Sequence, residues 1–328
     1  MMLPVIDELL NSDDPVVRWM ALNRLAGGAI QLEAYNEARL AMVESPRVNK
    51  LLSILNQPDD IFHHPYFKWS GGHWVLAMLA EIGYPPGDSR LIPLRDQQLD
   101  WLFSEKHGRH IKTINGRVRR CASQEGNALW SQVSLGIADS RADLLAQHLM
   151  EWQWEDGGWN CDRHPDVKIS SFMESLIPMR ALALYARVAN NREARDAAIR
   201  ASEIFFSRRM FRRRQDGAIM DPDFIRLHYP CYWHYDILFG LKVIAEMDLI
   251  SNPRCEEALD LLEAKMLPGG GFPSEGKYYR TSRPDLSGYS PVAWGPVSKR
   301  NMNPFVTLDA LWVLKRAGRK LAQIPNDM

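Results

Sequence analysis

The sixteen residues EWQWEDGGWNCDRHPD, Glu151 to Asp166, carry three tryptophans, a Gly-Gly pair, a cysteine and a histidine. The stretch before the corner, ADLLAQHLMEWQW (142–154), is an amphipathic helical pattern with a charged face. The stretch after it, SSFMESLIPMRALALYARVA (170–189), keeps helical spacing but is apolar almost all round. A helix apolar on every face has to be buried on every face. The quoted residues therefore join a half-buried helix to a fully buried one. WQWEDGGW reads as the corner between them, with glycines turning the chain and tryptophans bridging two helical layers. NCDRHPD leaves that corner with Cys161, Asp162 and His164, side chains that zinc accepts as ligands.

The same alternation recurs along the chain. CEEALDLLEAKM (255–266) has a charged face, whereas HWVLAMLAEIG (73–83), HYDILFGLKVIA (234–245) and FVTLDALWVL (305–314) do not. DDPVVRWMALNRLAGG (13–28) opens with an Asp cap and a first-turn proline and closes on glycine. QEGNALWSQVSLGIAD (124–139) and EARDAAIRASEIFFSRRMF (193–211) add further helical runs. Glycine-aromatic loops intervene again at RRRQDGAIMD (212–221) and LPGGGFPSEG (267–276). The fold class is all-α, and the repeat of roughly 50 to 70 residues predicts stacked helical hairpins. Fully buried inner helices are expected to begin near 71, 123, 170, 231 and 304, which gives at least five hairpins. Residues 1–60 pack on the array or supply a sixth. Inner helices apolar on all sides favour a closed α/α barrel over an open solenoid, in one domain over 1–328 with repeats across about 60–317. Pro178 should kink the third inner helix, because proline removes a backbone hydrogen bond.

Composition narrows the function classes. Lys plus Arg and Asp plus Glu balance at 40 each, so no global field favours nucleic acid or an anionic membrane. The basic runs RVRRC and SRRMFRRRQ are short and adjoin helix ends, where cations are favourable. The four cysteines, Cys121, Cys161, Cys231 and Cys255, lie far apart without a CxxC pair, which fits a reducing compartment. The N-terminus has acids where a secretory signal needs an apolar core, and no apolar run approaches the ~20 residues of a membrane span. The expectation is a soluble, cytoplasmic protein without a transmembrane segment.

QWEDGGW resembles the QW-type repeat of squalene–hopene cyclases and the Q-x-x-DGG-(F/W) loops of protein prenyltransferase β subunits, and RRQDGAIM and LPGGGFPSE are weaker copies. The resemblance covers roughly residues 60 to 317. It implies an α/α toroid whose loop Gln and Trp tie outer to inner helices, and an apolar, isoprenoid-type substrate. The chain departs from these families at their reactive motifs. It has no DxDD and no DDxxD; SDDP, PDDI and DDIFH carry paired acids only. Of the prenyltransferase zinc set, WHYDILFGL places His234 at the histidine position, while Val167 and Ile169 stand where Asp and Cys are expected.

Each inner helix nonetheless carries polar or ionisable groups in its first turns: His73; Glu125 with Asn127; Glu174; His234 with Asp236; Asp309. In a closed barrel these would meet at one mouth, where neighbouring charges shift one another's pKa for acid–base work. Glu125, Glu174 or Asp236 would be the acid or base, with His73 or His234 as partner. Trp69, Trp74, Trp130, Trp159, Tyr229, Tyr232, Trp233 and Tyr235 fall near the same helix starts. Such π faces line an apolar cavity and stabilise cations. A zinc ion could draw on Cys161, Asp162, His164 and His234. His63 and His64, in HHPYF, read as a turn before an aromatic anchor. The long segment RTSRPDLSGYSPVAWGPVSKRNMNP (280–304), with Arg280 and Arg283, reads as a lid or binding loop. Two other classes fit the same residues: a carbohydrate-active α/α-barrel hydrolase or lyase, with tryptophan platforms and paired carboxylates, and a helical-repeat binding protein without catalysis.

Overall fold

The computed structural model describes residues 4–26, 32–56 and 64–319. His63 and the paired acids Asp59 and Asp60 lie outside the described residues. Among the described residues there are fourteen α-helices and one two-stranded sheet. In chain order they are α1 (Pro4–Leu10), α2 (Pro15–Arg24), α3 (Leu32–Val43), α4 (Pro46–Leu52), α5 (Gly72–Glu81), α6 (Ile92–Leu102), α7 (Glu105–Gly108), β1 (Lys112–Ile114), β2 (Arg117–Arg119), α8 (Ser123–Ser134), α9 (Arg141–Glu151), α10 (Phe172–Val188), α11 (Arg192–Phe206), α12 (Ile237–Glu246), α13 (Glu256–Glu263) and α14 (Pro304–Arg316). None of these helices is long and apolar enough to cross a membrane.

Helix burial follows the two patterns in the sequence. The apolar helices are buried over most of their length: in α5 every residue from Gly72 to Leu79 is buried, and in α14 nine of thirteen residues are buried, from Phe305 to Leu314. The amphipathic ones bury one stripe, such as Ala142, Leu145, Ala146 and Leu149 in α9 or Ala258, Leu259 and Leu262 in α13. Buried helices pack on one another in the succession α5, α8, α10, α12, α14, α2, and α6, α9, α11 and α13 pack against them. From α2, Trp19 Nε1 donates to the Gly83 carbonyl just past α5 at 2.8 Å.

Four of the five predicted inner-helix starts, at α5, α8, α10 and α14, lie within two residues of the observed ones. The fourth in chain order does not. α12 begins at Ile237 rather than near 231, because Tyr232 has a positive φ of 54° and Asp236 is the N-cap, accepting from Phe239 N at 2.8 Å. His234 and Asp236 therefore precede the helix. Pro178 lies inside α10, which runs continuously from Phe172 to Val188. Proline has no N–H to give the Glu174 carbonyl one turn back. Gly126 of α8 lies against this point, and a Cβ there would stand 2.8 Å from Pro178 N. The segment before α8 contains the β1–β2 hairpin. Its Asn115-Gly116 turn has φ of 51° and 73°, the left-handed pair that a tight hairpin needs.

The interior also holds six charges. Arg180 of α10 donates to Glu81 of α5 at 2.8 Å and to both carboxylate oxygens of Glu246 of α12 at 2.6 Å. Lys242 of α12 contacts Glu81 and reaches Asp309 of α14 at 2.9 Å. Arg24 of α2 pairs with Asp309 and donates to the Glu81 carbonyl at 2.8 Å. The Arg180 guanidinium lies 3.7 Å from the ring centroid of Trp130 of α8. Three cations from α2, α10 and α12 thus meet three carboxylates from α5, α12 and α14, with the Trp130 ring of α8 against Arg180. Burial alone would raise the Glu81 pKa, but Arg180, Lys242 and Arg24 outweigh it and hold the carboxylate well below its usual range. Burial brings the Lys242 pKa down to about 8 despite Glu81.

Removing one partner from such a set strands the others in a medium that solvates them poorly. Glu81→Leu should lower the unfolding free energy by about 3–5 kcal/mol in urea titrations. Glu203→Ala, on the exposed Arg254–Glu203 pair, should change it by no more than about 1 kcal/mol.

Candidate functional site

The opening corner folds as a tie between helices. Gly157 has a φ of 97°, and a Cβ there would stand 2.5 Å from the Arg200 carbonyl oxygen of α11. Gln153 Nε2 donates to the Ala197 carbonyl of α11 at 2.8 Å. Trp159 Nε1 donates to the Leu149 carbonyl of α9 at 2.9 Å, and its backbone N–H to Ser175 Oγ of α10 at 3.1 Å. Asp156 anchors Ser170 before α10 through two hydrogen bonds, at 2.6 and 2.8 Å. Trp154 Nε1 reaches the Val118 carbonyl of β2 at 2.8 Å.

Contact with β2 brings the two half-buried cysteines together. Arg119 and Asn160 form a parallel bridge, and Arg120 N donates to the Asn160 carbonyl at 3.1 Å. The next residue on each strand of chain is a cysteine, Cys121 and Cys161. Glu174, in the first turn of α10, points at the same place. Its Oε2 accepts from Ser123 N, the first residue of α8, at 3.0 Å, and its Oε1 accepts from the Cys161 thiol at 3.7 Å. The ligand atoms of Cys121, Cys161 and Glu174 lie within 4.8 Å of one another. Behind them Arg120 donates to Glu125 at 2.8 Å and also contacts His107. Tyr66 stands beside Glu174 and Cys121 and joins an aromatic group with Trp74 and Trp101, at centroid distances of 5.0 and 5.3 Å.

Protonation in this cluster follows its geometry. Burial raises the Glu174 pKa, opposed by the Ser123 N–H. The hydrogen bond from Cys161 favours a thiolate at Cys121. That same bond, with burial and Glu174, holds Cys161 protonated. Burial would raise Glu125 too, but Arg120 and His107 reverse the direction.

The predicted acid–base residues divide among five places. Glu125 and Glu174 share the cluster just described. Asp309 belongs to the buried charge set. Asp236, fully buried, caps α12 and also accepts from His228 N at 2.8 Å and the Cys231 thiol at 3.4 Å. His73 accepts from Gln98 at 2.8 Å, and burial lowers its pKa to about 3, so the ring is neutral at neutral pH. His234 is stacked between Trp233 and Tyr278 at 3.9 and 3.5 Å. Its Nδ1–H points at the Cys231 carbonyl, and burial lowers its pKa to about 4.

Zinc ligands are redistributed in the same way. Cys161 does not meet Asp162, His164 or His234. Asp162 and His164 are exposed, and the Asp162 carboxylate accepts from His164 N within its own turn at 2.8 Å. Among the described residues, the set of three convergent ligands is Cys121, Cys161 and Glu174. Cys121 was not among the candidate residues read from the sequence, nor were Arg120 and Tyr66.

The aromatic residues form walls rather than a large chamber. Trp69 stacks on Tyr232 at 4.0 Å, and its Nε1 donates to the Tyr278 carbonyl at 2.7 Å. Tyr229 stacks on Phe305 at 4.9 Å, while Tyr235 packs on Phe172 and Phe224 and donates to the Met210 carbonyl at 2.6 Å. Asn127, Trp130, Tyr229 and Tyr232, with Glu81 and Arg180, enclose a cavity of about 30 Å³, room for one or two water molecules. Segment 280–304 is pinned beside it: Trp69 N donates to the Tyr289 carbonyl at 2.9 Å, and Trp294 is buried. Arg280 and Arg283 are exposed.

No family model matches the chain, and no curated protein matches it in sequence.

A carboxyl with a raised pKa carries its proton further up the pH scale in the folded state than in the unfolded one. Its contribution to stability is present below the ordinary carboxyl range and is lost as pH rises through the folded value. Urea unfolding of the wild type and Glu174→Gln from about pH 4 to about pH 8 should therefore show the wild type losing stability relative to the variant as pH rises. A pH-independent difference would refute a raised pKa at Glu174.

Proposed function

We propose that the chain is an enzyme on an α/α toroid of the terpene cyclase and protein prenyltransferase-like group, with its reaction centre at Cys121, Cys161 and Glu174. Support for the toroid is the succession of buried-helix contacts from α5 to α14 and α2, together with the Trp19–Gly83 and Arg24–Glu81 bonds that lead back to α5. In this reading α2 is the sixth inner helix and the outer ones are α6, α9, α11 and α13.

The observation that carries the reaction centre is the buried Glu174 carboxyl held against a thiol at 3.7 Å, between two helix starts, beside an aromatic wall. A buried carboxyl in such a place can donate a proton to an apolar substrate and take it back. Tyr66 and Trp101, both half-buried, would face the hydrocarbon and any cationic species formed from it. The space of about 30 Å³ takes water rather than a chain-like molecule, and a second space of about 270 Å³ against Glu81 and Arg180 is lined also by Arg24, Arg187 and Glu246, charges ill-suited to a hydrocarbon. Substrate therefore approaches the cluster from its solvent side, where Cys121 and Cys161 are half-buried. Burial of Trp69, Trp74 and Trp159 removes the tryptophan platforms that an open sugar cleft would use, so the isoprenoid reading is preferred to the carbohydrate one.

Incubation with a panel of isoprenoid hydrocarbons, alcohols and diphosphates, read by mass spectrometry of the products, tests the proposal. Turnover is expected, with a loss of at least about 100-fold in Glu174→Gln. No product from any member of the panel, or full activity in the folded variant, would remove the proposal's basis.

A further inference from the structure

We propose that Cys121, Cys161 and Glu174 form a zinc site with three protein ligands and a fourth position open to solvent. The donor set is chemically apt: two sulfurs and one carboxylate oxygen suit zinc, and three protein ligands leave the open position of a reactive centre rather than a closed structural one. The spacing is apt as well. Tetrahedral zinc with bonds of about 2.3 Å to sulfur and about 2.0 Å to oxygen sets ligand atoms roughly 3.5 to 3.8 Å apart. Cys161 Sγ and Glu174 Oε1 are already 3.7 Å apart, and all three ligand atoms lie within 4.8 Å. Small rotations of the cysteine side chains close the remainder.

The ligands are held from outside. Glu174 is oriented by the Ser123 N–H at its other oxygen, and the cysteines by the Arg119–Asn160 bridge. Partners that fix a ligand's direction are characteristic of working metal sites. Two thiolates and a carboxylate around Zn²⁺ would carry one net negative charge, and Arg120, paired with Glu125, lies alongside. On binding, Zn²⁺ displaces the thiol protons and any proton on Glu174, all of which leave to solvent, and no electrons are transferred.

Metal binding stands independently of the function proposed above. Only the role of a zinc-bound water in that chemistry rests on it. There the metal would replace Glu174 as the source of acid–base capacity, since zinc lowers the pKa of bound water to about 7.

The test uses the full chain, purified under reducing conditions. Elemental analysis should find one zinc per chain. Cobalt added after chelation should give a thiolate-to-cobalt charge-transfer band and the intense visible bands of tetrahedral Co²⁺. Cys121→Ser and Cys161→Ser should each lose the charge-transfer intensity, whereas Cys255→Ala, at a buried cysteine elsewhere, should keep it. Glu174→Gln keeps an oxygen for the Ser123 N–H, so it should fold as the wild type by circular dichroism. Its zinc affinity should still drop more than the about 10- to 100-fold typical of outer partners. A folded, reduced wild type with neither zinc nor the cobalt bands overturns the site, as does a Cys121–Cys161 disulfide in its place. Zinc retained by the double cysteine variant overturns it too. Zinc bound without isoprenoid turnover overturns the proposed function alone, and full turnover in the metal-free protein overturns only the role of a zinc-bound water in it.

Discussion

Six charges inside the protein constrain everything else. Arg24, Arg180 and Lys242 against Glu81, Glu246 and Asp309 hold together as a set, because the buried ions among them, Glu81, Arg180, Lys242 and Asp309, would each face several kcal/mol of desolvation alone. Helices α5, α10, α12 and α14 are apolar on nearly every face, and apolar packing by itself permits many registers and many neighbours. The charges do not. Arg180 must face α5 and α12 together, and Lys242 must face α5 and α14 together. Arg24 brings α2 to the same place, and Trp130 brings α8. Specificity of arrangement, more than net stability, is what such a set can provide, since burial of ions offsets much of their attraction.

Once the buried helices are fixed, the starts of α8 and α10 are fixed with them, and the cluster of Cys121, Cys161 and Glu174 depends on that. Glu174 satisfies an otherwise free N–H at the start of α8, so a carboxylate on one helix terminates its neighbour. The two cysteines come from outside the helices, one after the β hairpin and one after the Gly-Gly corner. They meet because Trp154 and the Arg119–Asn160 bridge join those loops. The Gln–Trp corner thus has a consequence besides joining helical layers: it delivers Cys161 to Glu174 and Cys121.

Several of these features were legible in the residues. The contrast between amphipathic and all-round apolar patterns predicted the half-buried and fully buried helices, and four helix starts followed within two residues. Glu174 was singled out as a lone acid in an apolar first turn, and it does sit in the cluster. Cys121 was missed because no local pattern distinguishes it from any other cysteine before a helix. The charge set was visible in part, since Glu81, Arg180 and Lys242 are each an ion flanked by apolar residues in an apolar helix. Attention to first turns alone passed over them. The start of α12 was displaced because Asp236 reads equally well as a buried acid within a helix and as the cap that begins one. Its two roles differ only in backbone conformation.

The sequence by itself determined the helical class, the alternation of buried and half-buried helices and the corner that joins them. Those properties depend on periodicity and on glycine, which act over a few residues. Only the tertiary structure decided which polar side chains meet. Asp309 went to a lysine and an arginine, Asp236 to its own helix cap and His73 to a glutamine, while Glu174 went to two cysteines from separate loops. The physical reason is that a buried polar group is defined by its partners, and here those partners are mostly distant in the chain. In EWQWEDGGWNCDRHPD the helical pattern foretold the corner, but the hairpin across from it gave Cys161 its neighbours.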